Sequence, residues 1–252
     1  MDGALFWALA VLAAVLVGMS KGGLPVVGML SVPVLSQVIS PVVAAGLLLP
    51  IYVVSDIFGL YAYRRSFDRR VLIIIGVGAT FGVGFGWATA SLVSDALVTA
   101  LIGLIGAFFA VSILMRRQTS DLPRPARIGP GLFWGTVSGF TSFVSHSGGP
   151  PYQVYTLPLN MPKATFAGTA TIAFAYINAI KLIPYYALGQ LGIENLKVAA
   201  ILAIPASLAV FLGVWLVRLL PEKVFFRLVT WTLLVISLRL VWQGTTQFFV
   251  AA

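Results

Sequence analysis

Apolar stretches of about twenty residues recur along most of this chain, and nothing else in the sequence constrains its fold as strongly. A helix needs about that length to cross the hydrocarbon of a bilayer. Segments 41–63, 71–93 and 96–115 read as full spans, and so do segments near 163–188, 196–217 and 223–243. Only 9% of residues are charged and 60% are hydrophobic, with a mean hydropathy of +1.02. A soluble domain of 252 residues would need far more charge to cover its surface. The expectation is an all-α membrane protein, residues 1–252 forming one transmembrane domain within the lipid bilayer.

Two apolar segments are interrupted in the same way. Ser20-Lys21-Gly22-Gly23-Leu24-Pro25 separates the short segments 4–18 and 24–38. His146-Ser147-Gly148-Gly149-Pro150-Pro151 begins 126 residues later and separates 130–144 from 150–160. Such breaks free backbone groups that hydrocarbon cannot satisfy, so those groups must face protein, water or a ligand. Corresponding breaks in two halves of a chain point to a transporter's binding site. The halves also match in order elsewhere: Pro33 with Pro158, Pro41 with Pro162, Ala45-Gly46 with Ala167-Gly168, and Asp56 with Asn178. An internal duplication is expected, with repeat one at 1–117, a linker at 118–129 and repeat two at 130–252. Each repeat would hold a broken helical hairpin plus three transmembrane helices.

Charge sets the orientation. Arg64, Arg65, Arg69 and Arg70 follow the first full span of half one, and Arg116, Arg117, Arg124 and Arg127 follow its third. In half two the bases come one loop later, at Arg218, Lys223 and Arg227. Positive residues favour the cytoplasm, so the second repeat should be inverted relative to the first. An odd number of crossings per half requires that the broken pair cross zero or two times. A re-entrant hairpin is favoured over two short crossings, because fifteen helical residues reach only about 22 Å, against a hydrocarbon core of ~30 Å. Both termini are then expected in the periplasm of a bacterial-type inner membrane. No cleavable signal peptide is expected from Met1-Asp2-Gly3, which carries an acid where positive charge belongs. The net charge of +9 follows this loop topology and does not call for nucleic acid as a partner.

The first break, continued by Val26-Val27-Gly28-Met29-Leu30-Ser31-Val32-Pro33-Val34-Leu35, resembles the TauE/SafE family, the sulfite exporter or TSUP group. Ser147-Gly148-Gly149-Pro150-Pro151 with Leu157-Pro158-Leu159 is the second copy, and Gly168-Thr169, Asn178-Ala179-Ile180-Lys181 and Gly189 are also similar to that family. Pro150-Pro151 stands where family members more often carry further glycine and small residues. The resemblance implies secondary transport of small sulfur-containing anions, sulfite or organosulfonates, usually outward. It implies no cofactor.

The candidate site gathers around the breaks. The N-terminus of a returning half-helix inside the membrane is a ready anion site. Gly22, Gly23, Gly148 and Gly149 carry no side chain, so a substrate can approach the backbone. Ser20, Ser145 and Ser147 offer hydroxyl donors. Lys21 is either a counter-charge for the anion or a lysine snorkelling to the interface. His146, the only histidine, is an anion ligand, a proton carrier or a neutral core histidine. Asp56 could accept a coupling proton, hold Lys21 in place, or pair with an arginine near the membrane face. Asn178 is its counterpart, and Lys181, three residues on, shares the Asn178 helix face. Lys181 lines the outward path or snorkels. Gly78, Gly82 and Gly86 form a small-xxx-small series that implies close helix packing.

Two other functional classes remain. An anion channel would share the same path and differ by flux without saturation. An intramembrane hydrolase would use Ser145, His146 and Ser147, but adjacent residues rarely place nucleophile and base within 2.6–3.2 Å. The chain has no cysteine, which removes disulfides, thiolate zinc sites and cysteine nucleophiles. It also lacks the Gly-x-x-x-x-Gly-Lys-Ser/Thr motif of nucleotide-driven pumps.

Overall fold

The computed structural model describes residues 3–90, 95–115 and 124–251. Among them there are helices and no strand. Half one contains α1 (Ala4–Lys21), α2 (Pro25–Gly28), α3 (Ser31–Leu35), α4 (Pro41–Tyr63), α5 (Arg69–Ala88) and α6 (Asp95–Leu114). Half two contains α7 (Ile128–Ser145), α8 (Gly149–Thr156) with a 3-10 turn at Leu157–Leu159, α9 (Lys163–Ala187), α10 (Ile193–Leu219) and α11 (Glu222–Ala251). Helices α1, α4, α5, α9 and α10 are each long and apolar enough to cross a membrane. Residues 118–123 of the expected linker, together with Arg116 and Arg117, lie outside the described residues.

Helix limits follow local chemistry. The hydroxyl of Ser40 accepts from Val43 N, with Pro41 in the first turn of α4. The carboxylate of Asp68 accepts from Val71 N at 2.9 Å and starts α5. Both are side-chain caps on otherwise unsatisfied first-turn amides. Helix α7 ends where His146 adopts a left-handed conformation, φ 55°. Gly23, at φ 105°, turns the chain after α1, a conformation that favours glycine.

The broken segments differ from expectation in one respect. Their first arms are longer, 18 residues each, reaching Lys21 and Ser145. Their returning arms are fragmented into α2 and α3, and into α8 and its 3-10 turn. The physical reason for the long first arms is close packing. A Cβ on Gly18 would strike the Ala206 carbonyl of α10, and one on Gly22 would lie 2.5 Å from Gly213 Cα. In the same manner Gly78, Gly82 and Gly86 of α5 pack on α7, against Gly135, Thr136 and Phe143. The small-residue series therefore joins helices, as its spacing implied. A Cβ on Gly82 would meet the Thr136 carbonyl and come within 2.7 Å of Phe140 N, whereas one on Gly84 has open space. Gly82→Val is expected to lower the thermal unfolding midpoint in detergent by several degrees. Gly84→Val should leave it unchanged, and equal behaviour of the two would refute the packing role.

Contacts between ends give the helix directions. Helix α10 runs alongside α1 in the same sense, Ala206 beside Gly18 and Gly213 beside Gly22. It also runs with α4, since Gly46 abuts Gln190 while Tyr63 and Val217 both abut Gly23. Helix α9 starts where α4 ends, Gly168 against Ser66, and begins level with α5, whose Asp68 N donates to Thr169 Oγ1 at 2.9 Å. Thus α1, α4 and α10 run one way, and α5, α7 and α9 the other. Helices α6 and α11 oppose each other, Gly103 against Val241 and Gly244 against Ala100. Packing partners are reciprocal: α1 with α10 and α7 with α5, α4 with α10 and α9 with α5, α2 with α11 and α8 with α6.

One end of the bundle is basic. It collects Arg64, Arg65, Arg69, Arg70, Arg124, Arg127, Arg218 and Lys163, whose Nζ donates to Leu220 O at 2.8 Å. The opposite end offers the exposed Lys197–Glu194 pair. Between the ends, Phe81 and Phe85 of α5, Ile204 and Leu208 of α10, and Val235 and Trp242 of α11 point outward. That belt matches the surface a lipid-facing helix presents.

Candidate functional site

The two breaks lie at different depths along α4. At the first, a Cβ on Gly59 would lie 2.8 Å from the carbonyl of Lys21. At the second, His146 Nε2 is 3.0 Å from the carbonyl of Ala45. Fourteen residues of helix separate those levels, about 21 Å. A small cavity of about 20 Å³ sits between them, walled by both broken segments and by α4 and α9. That is room for roughly one water.

Backbone carbonyls freed at the breaks are satisfied by side chains. Gly22 O accepts from the Tyr63 hydroxyl at 2.6 Å, and Lys21 O from Thr171 Oγ1 at 3.2 Å. In the second half Phe143 O accepts from Tyr185 at 2.5 Å, and Gly148 O from Ser138 Oγ at 2.8 Å. This satisfaction is what a break in a membrane helix requires.

Charge is concentrated at the cavity. Lys21, 3% exposed, turns its ammonium to Asp56 Oδ1 at 2.7 Å. The other Asp56 oxygen accepts from Asn178 Nδ2 at 2.8 Å, so the carboxylate joins the two halves. The Lys21 ammonium also lies 4.8 Å from the centre of the Tyr52 ring, within cation–π range. Tyr52 also stacks on His146, with ring centres 4.7 Å apart. Tyr52 is itself fixed by donating its hydroxyl to Gly28 O at 2.8 Å.

Lys181 forms the second cationic point. It is 0% exposed and donates to Ser142 O at 3.0 Å, Ser142 Oγ at 3.2 Å and His146 Nδ1 at 2.8 Å. With Lys181 as an ammonium, which has only donors, Nδ1 is the accepting nitrogen. Nε2 then carries the ring proton and donates to Ala45 O. Among the described residues, no carboxylate lies within 4.0 Å of Lys181.

Of the residues expected from the sequence, Ser20, Lys21, His146, Gly149 and Asn178 line the cavity. Asp56 stands behind Lys21 and Asn178, and Lys181 behind His146 and Ser142. Neither lysine snorkels, and Asp56 pairs with Lys21 in place of an arginine. Gly22 faces α10, Gly23 faces Tyr63 and Ala167, and Gly148 faces Ser138 and Phe174. Their bareness serves packing in this conformation. The returning helix α2 is a single turn of four residues, which leaves little dipole at the first tip. Ser145 donates to Ser147 Oγ at 3.1 Å, and the described contacts of the His146 ring include neither serine. That arrangement contains no nucleophile–base pair.

Seven lining residues were not among the expected site residues: Pro25, Gly28, Tyr52, Ser142, Ala170, Thr171 and Phe174. A signal for three of them was available. Tyr52 precedes Asp56 by four residues, and Phe174 and Thr171 precede Asn178 by four and seven, the spacing of a shared helix face. Ser142 lies within α7, four residues before His146, and meets Lys181 of α9 at 3.2 Å.

A family model described as sulfite exporter TauE/SafE matches residues 8–240. No curated protein and no solved structure shows a significant match to the chain.

Proposed function

We propose, from the premise that this chain belongs to the sulfite exporter TauE/SafE family, that it is a secondary transporter exporting small sulfur-containing anions across the inner membrane. Sulfite and organosulfonates are the substrate candidates. The family is one of membrane transporters for sulfur anions, and the long apolar helices agree with a multi-pass membrane protein. The observation that carries the anion reading is the cavity between the broken segments, where two buried lysines accompany a single buried carboxylate. Buried charge without full compensation is a functional feature in a membrane.

The mechanism is alternating access, one half rocking against the other around the paired breaks. Reciprocal packing and the opposed directions of α1 and α7, α4 and α9, α5 and α10, and α6 and α11 support two inverted repeats, 1–117 and 130–252, with a linker at 118–129. A water-sized cavity must widen to take an oxyanion, which supports movement of the halves in preference to a standing channel. A coupling proton or cation is part of this reading, with Asp56 as the candidate acceptor of a proton. Counterflow in liposomes tests the function, using sulfite, sulfonates, thiosulfate and simple carboxylates. Saturable counterflow of sulfur anions is expected. Linear, unsaturable flux would favour the channel, and absence of any anion flux would refute transport.

Orientation follows from the basic end. It belongs in the cytoplasm, so both termini face the periplasm. Terminal reporter fusions are expected to show periplasmic activity at each end. Cytoplasmic activity at both would overturn the topology.

A further inference from the structure

We propose that the site is built for a monovalent anion, with Lys181 supplying the one positive charge in excess; this rests on the anion-transport reading above. Three ionisable side chains sit at the cavity or directly behind its lining: Lys21 lines it, and Asp56 and Lys181 stand behind. Lys21 and Asp56, 2.7 Å apart, cancel each other. The second Asp56 oxygen is held by the neutral amide of Asn178. Lys181 directs all three of its donors at uncharged acceptors, two on Ser142 and one on His146. His146 is neutral in this network, because Nδ1 accepts from the ammonium while Nε2 donates to Ala45 O. The nearby phenols of Tyr52 and Tyr185 add no charge near neutral pH. With both lysines protonated and Asp56 unprotonated, the buried cluster sums to +1.

A buried cation is costly unless an opposite charge accompanies it. One negative charge brings this cluster to neutrality. A dianion overshoots and leaves an equal excess of the other sign in the same low-dielectric space. The anion need not touch Lys181. Ser142 and His146, which Lys181 contacts, line the cavity, as does Lys21. The ligand class is accordingly a monoanion with several equivalent oxygens, an alkyl sulfonate or hydrogen sulfite. A dianion of similar shape, such as sulfate, is disfavoured by its charge.

Methanesulfonate and sulfate separate charge from shape. Their binding to the purified full chain in detergent is measured by calorimetry at pH 7, for the wild type, Asp56→Asn and Lys181→Gln. Wild type is expected to bind methanesulfonate at least tenfold more tightly than sulfate. Asp56→Asn raises the cluster to +2 and should shift that ratio at least tenfold toward sulfate. Lys181→Gln lowers it to zero and should cost methanesulfonate affinity at least tenfold. If Asp56→Asn fails to elute as a single species, the wild-type ratio and Lys181→Gln decide. Equal or tighter binding of sulfate by the wild type overturns the proposal. So does an unchanged ratio in folded Asp56→Asn, or full methanesulfonate affinity in Lys181→Gln. Charge-blind binding would overturn only this inference, whereas absence of anion binding and counterflow alike would refute the transport reading too.

Discussion

Lys21→Ala is expected to remove anion binding and to destabilise the protein by about 3–5 kcal/mol, the usual cost of stranding one member of a buried ion pair. The stranded member is Asp56, 4% exposed, which keeps only its bond from Asn178. Stability and binding should then part company in the double variant. Lys21→Met with Asp56→Leu replaces the pair by apolar side chains of similar size, and such replacements are often neutral or stabilising. The double variant should recover most of the thermal midpoint and none of the binding. Detergent-phase melting and sulfonate titration of both singles and the double measure this. Restored binding in the double would mean that the pair serves the fold alone.

Lys181→Met is expected to behave in the opposite sense. No carboxylate among the described residues forms an ion pair with Lys181, so removing it breaks no ion pair. It leaves His146 Nδ1 without its donor, a cost of about 1–3 kcal/mol. Against this stands relief from holding a fully buried ammonium, a penalty of several kcal/mol per ion. The thermal midpoint should stay level or rise, while sulfonate affinity falls at least tenfold. Such a trade of activity for stability marks a residue retained for function. A large fall in the midpoint with affinity intact would identify Lys181 as structural.

Helical fold class and spans were legible because lipid restricts a chain so strongly. The twin glycine breaks and the swapped arginine loops could be read from sequence as well, since both are local patterns. The site was legible in part. Lys21, His146 and Asn178 stood out because polar residues are conspicuous in apolar runs, and the cavity is indeed lined by them. The roles of the glycines were not legible. Freedom to approach a ligand and freedom to approach a neighbouring helix leave the same letter in the sequence. Only the packing of Gly22 on Gly213 distinguishes them. Pairings such as Lys181 with Ser142, or Asp56 with Asn178 across 122 residues, depend on which helix faces which. Periodicity within one segment carries no information about that.

The offset of the two breaks along α4 has a mechanical meaning. Lys21 meets that helix at Gly59 and His146 meets it at Ala45, so the two broken segments overlap instead of abutting. Carpenters distinguish a butt joint from a lap joint. The first opens along its seam when either piece is withdrawn. The second stays shut until both are. Retraction of one hairpin would bare the cavity to one side while the other hairpin still spans the gap. If the chain transports as proposed, such an overlap closes the path from one side whichever segment withdraws.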